Sequence, residues 1–265
     1  MQVFMKGLAT IGLSVLSAGA YAQFDPGQPT LLITGANRGI GFEFVNQYAA
    51  KGWNIIATAR NPKTAEELQA LAAENGRIVI EQLDVTDHTR IEWLAEIYKD
   101  QPIDILLSNA GLTPKYKSAF MRLKGVDFEI ADMSMKVNAI APLKLAQAFM
   151  PHVAASEQKK MVIISSKGGS FELGPKLPMM YSYRASKAAL NMYMYTLAFE
   201  TPKKGVILTL LSPGQVNTVD AKGMKRPGVI ETDESVSKMI VVIDGLTAEQ
   251  NGQFLGYEDG AVLGW

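Results

Sequence analysis

The sequence predicts a single-domain α/β fold built on a doubly wound, mostly parallel sheet. Short apolar runs rich in β-branched residues alternate with helical patterns of ten or more residues, several runs are apolar throughout, and a glycine-rich turn follows the first. Strands covered on both faces lose the in–out alternation of a half-exposed sheet, and parallel neighbours need a connection of helical length. Neither linker composition nor a fixed-period repeat interrupts residues 30–265, so they read as one domain.

TLLITG (Thr30–Gly35) gives the first strand, GFEFVNQYAAKG (Gly41–Gly52) a helix closed by Gly52, and WNIIATA (Trp53–Ala59) the second strand. PKTAEELQALAAENG reads as one helix with Pro62 near its start and Gly76 at its end, because proline fixes a helical φ and glycine tolerates a left-handed stop. RIVIEQLDV (Arg77–Val85) is a strand, TRIEWLAEIYK (Thr89–Lys99) a helix and IDILLSNAG (Ile103–Gly111) a strand. A long helix over about Ala131–Met150 leads to the strand KMVIISS (Lys160–Ser166) and to a helix carrying Tyr183. The strand VILTLLSPG (Val206–Gly214), a helix near Ser235–Gly245 and a short QFLGY (Gln253–Tyr257) complete the domain.

Lys plus Arg and Asp plus Glu number 26 each, so no charge imbalance calls for nucleic acid as a partner. The chain has no cysteine, which excludes disulfides, thiolate chemistry and cysteine-ligated zinc. His88 and His152 stand apart from one another and from carboxylates at ligand spacing, so no metal is expected.

The first residues differ from the rest. Met1–Gln23 carries one cation, Lys6, then a small and apolar run from Gly7 to Ala18, then Ala20-Tyr21-Ala22. The run is shorter than the roughly 20 residues a membrane span needs, and Ala-Tyr-Ala fits the small-x-small cleavage rule. Residues 1–22 are therefore expected to be a signal peptide, with 23–29 a loose mature N-terminal extension and no stable membrane anchor. The leader has no Arg pair, so export is expected by a Sec-type route to the periplasm or beyond, with a cytoplasmic location as the alternative.

In a doubly wound sheet ligands lie at the carboxyl ends of the strands. After the first strand, Gly35, Gly39 and Gly41 in TGANRGIG permit a tight turn, close approach of backbone N–H groups to a pyrophosphate and close helix packing. Tyr183 and Lys187 in YRASK fall on one helical face, one turn apart, a phenol beside an ammonium. Such a pair suits proton transfer, since a phenol with an ordinary pKa of about 10 needs help to act near neutrality.

TGANRGIG (Thr34–Gly41), LDV (Leu83–Val85), NAG (Asn109–Gly111), KVNAIAP (Lys136–Pro142), IISSKGG (Ile163–Gly169), YRASK (Tyr183–Lys187) and SPGQVNT (Ser212–Thr218) occur in that order. Together they resemble the short-chain dehydrogenases/reductases, most closely the C-factor and Sniffer-like carbonyl reductase branch, over Thr30–Trp265. The resemblance implies a Rossmann fold in which Tyr183 protonates a substrate carbonyl oxygen as hydride arrives from a nicotinamide. It implies that Lys187 lowers the phenol pKa and holds the nicotinamide ribose, and that a serine hydroxyl bonds the same oxygen. Ser166, three residues before Gly169, matches the family position; its separation from Tyr183 is longer than usual, which leaves Ser165 open. Asn138 resembles the asparagine whose backbone helps hold a water linking the lysine to solvent.

By the same resemblance the cofactor lies against Gly35, Asn37, Arg38, Gly39, Ile40 and Gly41, with Asp84 and Val85 beside the adenine. Asn109, Ala110 and Gly111, then Pro213, Gly214 and Val216 also bind the cofactor, and Thr218 would reach its carboxamide. Ala59 stands where an acidic residue would accept from a free ribose hydroxyl, Arg60 follows it, and Arg38 adds a second guanidinium, so NADP(H) is expected in preference to NAD(H). The partner expected is a small carbonyl or alcohol, with a homodimer left open. Val219–Thr232 reads as a lid, FELGPKLPMM (Phe171–Met180) as a wall with Leu177, Met179 and Met180 either pocket or core, and Lys115, Lys117, Arg122 and Lys124 as a solvated face or an anion site. A non-catalytic or signalling protein of the same fold is the alternative function.

Overall fold

The computed structural model of the protein describes residues 24–113, 120, 122–218 and 228–265. The signal-peptide segment, Lys115, Lys117 and most of the expected lid lie outside them.

Seven strands form one sheet: β1 (Thr30–Thr34), β2 (Asn54–Ala59), β3 (Ile78–Gln82), β4 (Ile105–Ser108), β5 (Lys160–Ile164), β6 (Ile207–Ser212) and β9 (Phe254–Gly256). Their order is β3-β2-β1-β4-β5-β6-β9, and every pairing is parallel. A short separate ribbon pairs β7 (Gln215–Val216) with β8 (Val229–Ile230). The strand direction of travel reverses at β1, whose neighbours are β2 and β4, and this opens a crevice at their carboxyl ends.

The helices are α1 (Gly39–Ala50), α2 (Glu66–Glu74), α3 (His88–Ile97), α4 (Phe128–Met135), α5 (Ala141–Ala154), α6 (Tyr181–Leu197) and α7 (Thr232–Asp244). Alternate strand residues feed two cores. Leu31, Ile33, Ile55 and Leu107 pack with Phe44 of α1 and Val236 and Met239 of α7, whereas Leu32, Ile56, Leu106 and Ile163 pack with Phe149 of α5 and Leu190 and Met194 of α6. Burial on both faces explains why β1, β2, β4 and β5 read as unbroken apolar runs.

Three sequence expectations change. The Pro62–Gly76 helix is two pieces, a single 3₁₀ turn over Pro62–Thr64 and then α2, because Ala65 between them leaves helical φ/ψ. The long helix runs further, from Phe128 to Ala154, and contains a π turn at Lys136–Ile140. Phe24–Pro29 is not loose: Asp25 N–H donates to Asn54 Oδ1 (3.0 Å), Asn54 Nδ2 donates to the carbonyls of Asp25 (2.8 Å) and Gln28 (2.9 Å), and Phe24 packs on the core. A buried asparagine that must satisfy its amide draws the segment down.

The glycine turn shows why close approach restricts sequence. A Cβ at Gly41 would sit 2.2 Å from the Gly35 carbonyl oxygen and 2.5 Å from Asn109 Nδ2, whereas one at Gly76 would meet nothing within 4 Å. Gly41→Ala is expected to destabilise the protein by about 1–3 kcal/mol, lowering Tm by several degrees, while Gly76→Ala stays within about 1 kcal/mol of the parent. Thermal melts of both variants check this; equal melting temperatures would contradict it.

Candidate active site

The site is assembled at the carboxyl ends of β1, β4, β5 and β6. Gly35 (φ 69°) and Gly39 (φ 56°) take the left-handed region, so the chain turns sharply from β1 into α1. Asp87 caps α3 and Asp127 caps α4 with side-chain oxygens, but Arg38 at the start of α1 makes no side-chain cap and no acid occupies the first turn. The first N–H groups of α1 are thus left for an anion. Asn37 and Ile40 flank this turn and are partly buried.

Asn109 ties the loop after β4 to the turn: its Nδ2 donates to the carbonyls of Thr34 (3.0 Å) and Gly35 (3.2 Å), and Thr34 Oγ1 accepts from the N–H groups of Asn109 (3.1 Å) and Ala110 (3.0 Å). A Cβ at Gly111 would lie 3.5 Å from Asn138 Oδ1, and one at Gly39 would lie 3.5 Å from Thr218 Cγ2. Gly214 (φ 81°) packs flat on the Tyr257 ring, and the Pro213 carbonyl accepts from Ser235 Oγ at 2.7 Å. Val216 is fixed by its pairing with Ile230, so the described end of the expected lid, from Gly228, is partly a strand.

Asp84 Oδ1 accepts from the N–H and hydroxyl of Thr86 (2.9 and 2.7 Å), and Val85 is buried beside it. Ala59 is buried at the end of β2, and Arg60 and Arg38 are exposed, neither in an ion pair among the described residues.

Ser166 and Ser165 separate clearly. Ser165 is buried and donates to Asn191 Oδ1 at 2.6 Å. Ser166 Oγ accepts from the Gly168 N–H (3.0 Å), and a Cβ on Gly168 would lie 3.3 Å from that oxygen and 3.6 Å from the Tyr183 ring, so the hydroxyl and the phenol share the same turn. Burial pushes that phenol above its ordinary value, and the Ser166 hydroxyl opposes the rise. Lys187 is buried, its Nζ donates to the Ile164 carbonyl at 2.8 Å, and burial pushes its pKa down to about 8.

Sequence reasoning placed Asn138 through its backbone, but its side chain is fully engaged. Oδ1 accepts from Leu112 N–H (2.7 Å), and Nδ2 donates to the Leu112 carbonyl (3.0 Å) and to Ser186 Oγ (2.9 Å), which in turn donates to the Tyr183 carbonyl (2.8 Å). Ser186 and Gly169 were not foreseen as site residues. Ser186 lies three residues after Tyr183, the spacing of a serine bonding back within a helix, and that was its only signal. A Cβ at Gly169 would meet the Lys187 backbone and Cβ at 2.7 Å, so this glycine lets the Ser166 turn rest against α6. Leu177, Met179 and Met180 are not core; Arg122 and Lys124 are exposed. No cluster of three or more His, Asp or Glu able to hold a metal occurs among the described residues.

Residues 29–227 match the family model for short chain dehydrogenases. The chain belongs to the short-chain dehydrogenase family. It is 30% identical over 254 residues to a short-chain dehydrogenase/reductase from Arthrinium sp, spanning 85% of this chain and 96% of that one. Its fold superposes on NADPH-bound carbonyl reductase from chicken fatty liver with TM-score 0.81 and 33% identity, covering 90% and 99% of the two chains. Carbonyl reductase Sniffer of D. melanogaster gives TM-score 0.80 and 29% identity, over 90% and 100%. This short-chain dehydrogenase is an oxidoreductase whose fold agrees with those solved relatives.

For this short-chain dehydrogenase the buried lysine has a measurable signature. Its folded pKa of about 8 lies below the ordinary 10.5, so between those values the unfolded chain binds more protons and this site's contribution to stability rises with pH; below 8 it is constant. Against Lys187→Met, in which other titrations cancel, the parent should gain melting temperature as pH climbs through that window. Parallel profiles would show that the ammonium is not desolvated.

Proposed function

We propose that the chain is an NADPH-dependent carbonyl reductase, converting an aldehyde or ketone to an alcohol or running the reverse. The observation that carries the reading is buried Lys187 one helical turn from Tyr183, with the Ser166 turn resting against the same helix at Gly169 and the start of α1 left uncapped after the glycine turn.

The residues present fit a phosphorylated dinucleotide. The uncapped start of α1 suits a pyrophosphate, the left-handed Gly35 and Gly39 leave room for close approach, and exposed Arg38 and Arg60 suit a 2′-phosphate where Ala59 offers no repelling carboxylate. When bound, NADPH supplies a hydride to the carbonyl carbon.

The chain's own groups supply the rest. Burial keeps Tyr183 neutral and so carrying its proton, and the developing negative charge on a carbonyl oxygen and the nearby Lys187 charge are what draw that proton off. Ser166 Oγ uses a lone pair on the Gly168 N–H, which leaves its own proton for the same oxygen. Lys187 holds a positive charge below about pH 8, favouring the phenolate that remains after proton transfer. The hydrogen bond from Lys187 to Ile164 fixes where that charge sits.

Tyr183→Phe removes the donor with almost no loss of packing. It should retain NADPH binding and the parent melting temperature while turnover with aldehydes falls by about 10² to 10⁴-fold. Turnover within about threefold of the parent would reject the role.

The cofactor preference has its own test. Dissociation constants for NADPH and NADH should favour NADPH, since each charge-assisted contact contributes about 1.5–3 kcal/mol, and the preference should reverse when Ala59→Asp and Arg60→Ala are combined. Equal affinities in the parent, or an unchanged ratio in the double variant, would make both arginines surface residues. We also propose export, on the sequence of residues 1–22 alone; N-terminal sequencing of fractionated protein tests it, with a mature chain starting at Gln23 expected and a chain retaining Met1 contradicting it.

A further inference from the structure

Arg184 follows Tyr183 directly, and its side chain bonds two loops. Nε donates to the Gly168 carbonyl (3.2 Å), in the turn that carries Ser166, and Nη1 donates to the Leu177 carbonyl (3.1 Å). Its own N–H donates to the carbonyl of Met180 (2.9 Å), a residue held at φ 52°, in the left-handed region that a methionine rarely adopts. Nη1 and the backbone N–H of one residue thus hold the end of the segment Phe171–Met180 against the catalytic helix, while Nε ties the same side chain to the Ser166 turn.

That segment has little else to hold it at this end. Phe171 is 84% and Leu177 63% exposed, so its apolar side chains are not anchored in either core. Its other end is tied by Ser170 Oγ donating to the Gly264 carbonyl (2.9 Å) and by Glu172 N–H donating to the Trp265 carbonyl (3.0 Å). A segment pinned at both ends, with apolar groups free between Ser166 and Tyr183, forms a wall for whatever approaches those two hydroxyls.

We infer that Arg184 is a positioning residue that sets the reductase's preference for bulky apolar carbonyl compounds by holding the Phe171–Met180 wall in place. The inference rests on the reductase reading for its substrate class but not for the clamp itself. A planar guanidinium reaches the two carbonyls from two separate nitrogens, Nε and Nη1, a spread that the single nitrogen of an ammonium does not reproduce.

Amide hydrogen exchange of the full chain, parent against Arg184→Gln and Arg184→Lys, reads the clamp without any substrate. Exchange in 171–180 should rise about tenfold in Arg184→Gln and by less in Arg184→Lys, which keeps the length and the charge-assisted donors, while the sheet strands stay within about twofold. Kinetics with NADPH should show KM for 2-naphthaldehyde up about fivefold or more in Arg184→Gln with kcat within about twofold, and propanal, too small to touch the wall, nearly unchanged. Unchanged exchange in 171–180, or a rise spread equally over the whole chain in both variants, would overturn the inference. So would a fall in kcat for both aldehydes at constant KM, which would make Arg184 a support of the reacting hydroxyls instead. A parent that reduces neither aldehyde would sink the reductase reading, and the exchange result would still decide the clamp.

Discussion

The geometry of the site depends on one buried side chain, the amide of Asn138. It is fully buried, and its carboxamide bonds both backbone groups of Leu112 and the hydroxyl of Ser186. These partners belong to different parts of the molecule: Leu112 follows the cofactor-side loop Asn109–Gly111, and Ser186 lies in the helix that carries Tyr183 and Lys187. An unpaired amide in the interior costs about 1–3 kcal/mol, so the arrangement is held as a set. The cross-link fixes the separation between the loop beside the glycine turn and the helix that carries Tyr183 and Lys187.

Asn138 reaches both because it sits on a π turn. One extra residue in the turn swings the faces of the following helix by about 100°, which lets Asn138 face Leu112 and Ser186 while Leu145 and Phe149 further along still pack on the sheet. Other irregularities lie close by. Met180 is left-handed at the entrance of α6, and Gly169 permits backbone contact between the Ser166 turn and Lys187. Sparsely populated conformations cluster here because the surrounding hydrogen bonds over-determine them.

Much of this was legible in the sequence, for physical reasons. Unbroken apolar runs such as TLLIT signal two-sided burial, which only a covered parallel sheet provides, and the structure has all seven strands parallel. The glycine turn and the Tyr183–Lys187 spacing were readable because each imposes a local rule on residue type. What could not be read depends on distant atoms. The choice between Ser165 and Ser166 turns on Asn191, which takes the first, and on Gly168, which turns the second toward Tyr183. The ordering of Phe24–Pro29 depends on Asn54, and the depressed Lys187 on burial by elements far along the chain. Periodicity carries no record of such contacts.

The most direct test of carbonyl reduction follows the two hydrogens that the reaction adds. With NADPH carrying deuterium at the transferring position of the nicotinamide and 2-naphthaldehyde in ordinary water, the alcohol formed should carry one deuterium, on the carbinol carbon, and an exchangeable proton on oxygen. Recovery of deuterated alcohol in step with NADPH consumed is the predicted result. NADPH that binds yet is never consumed, or is consumed without deuterium reaching carbon, would contradict it.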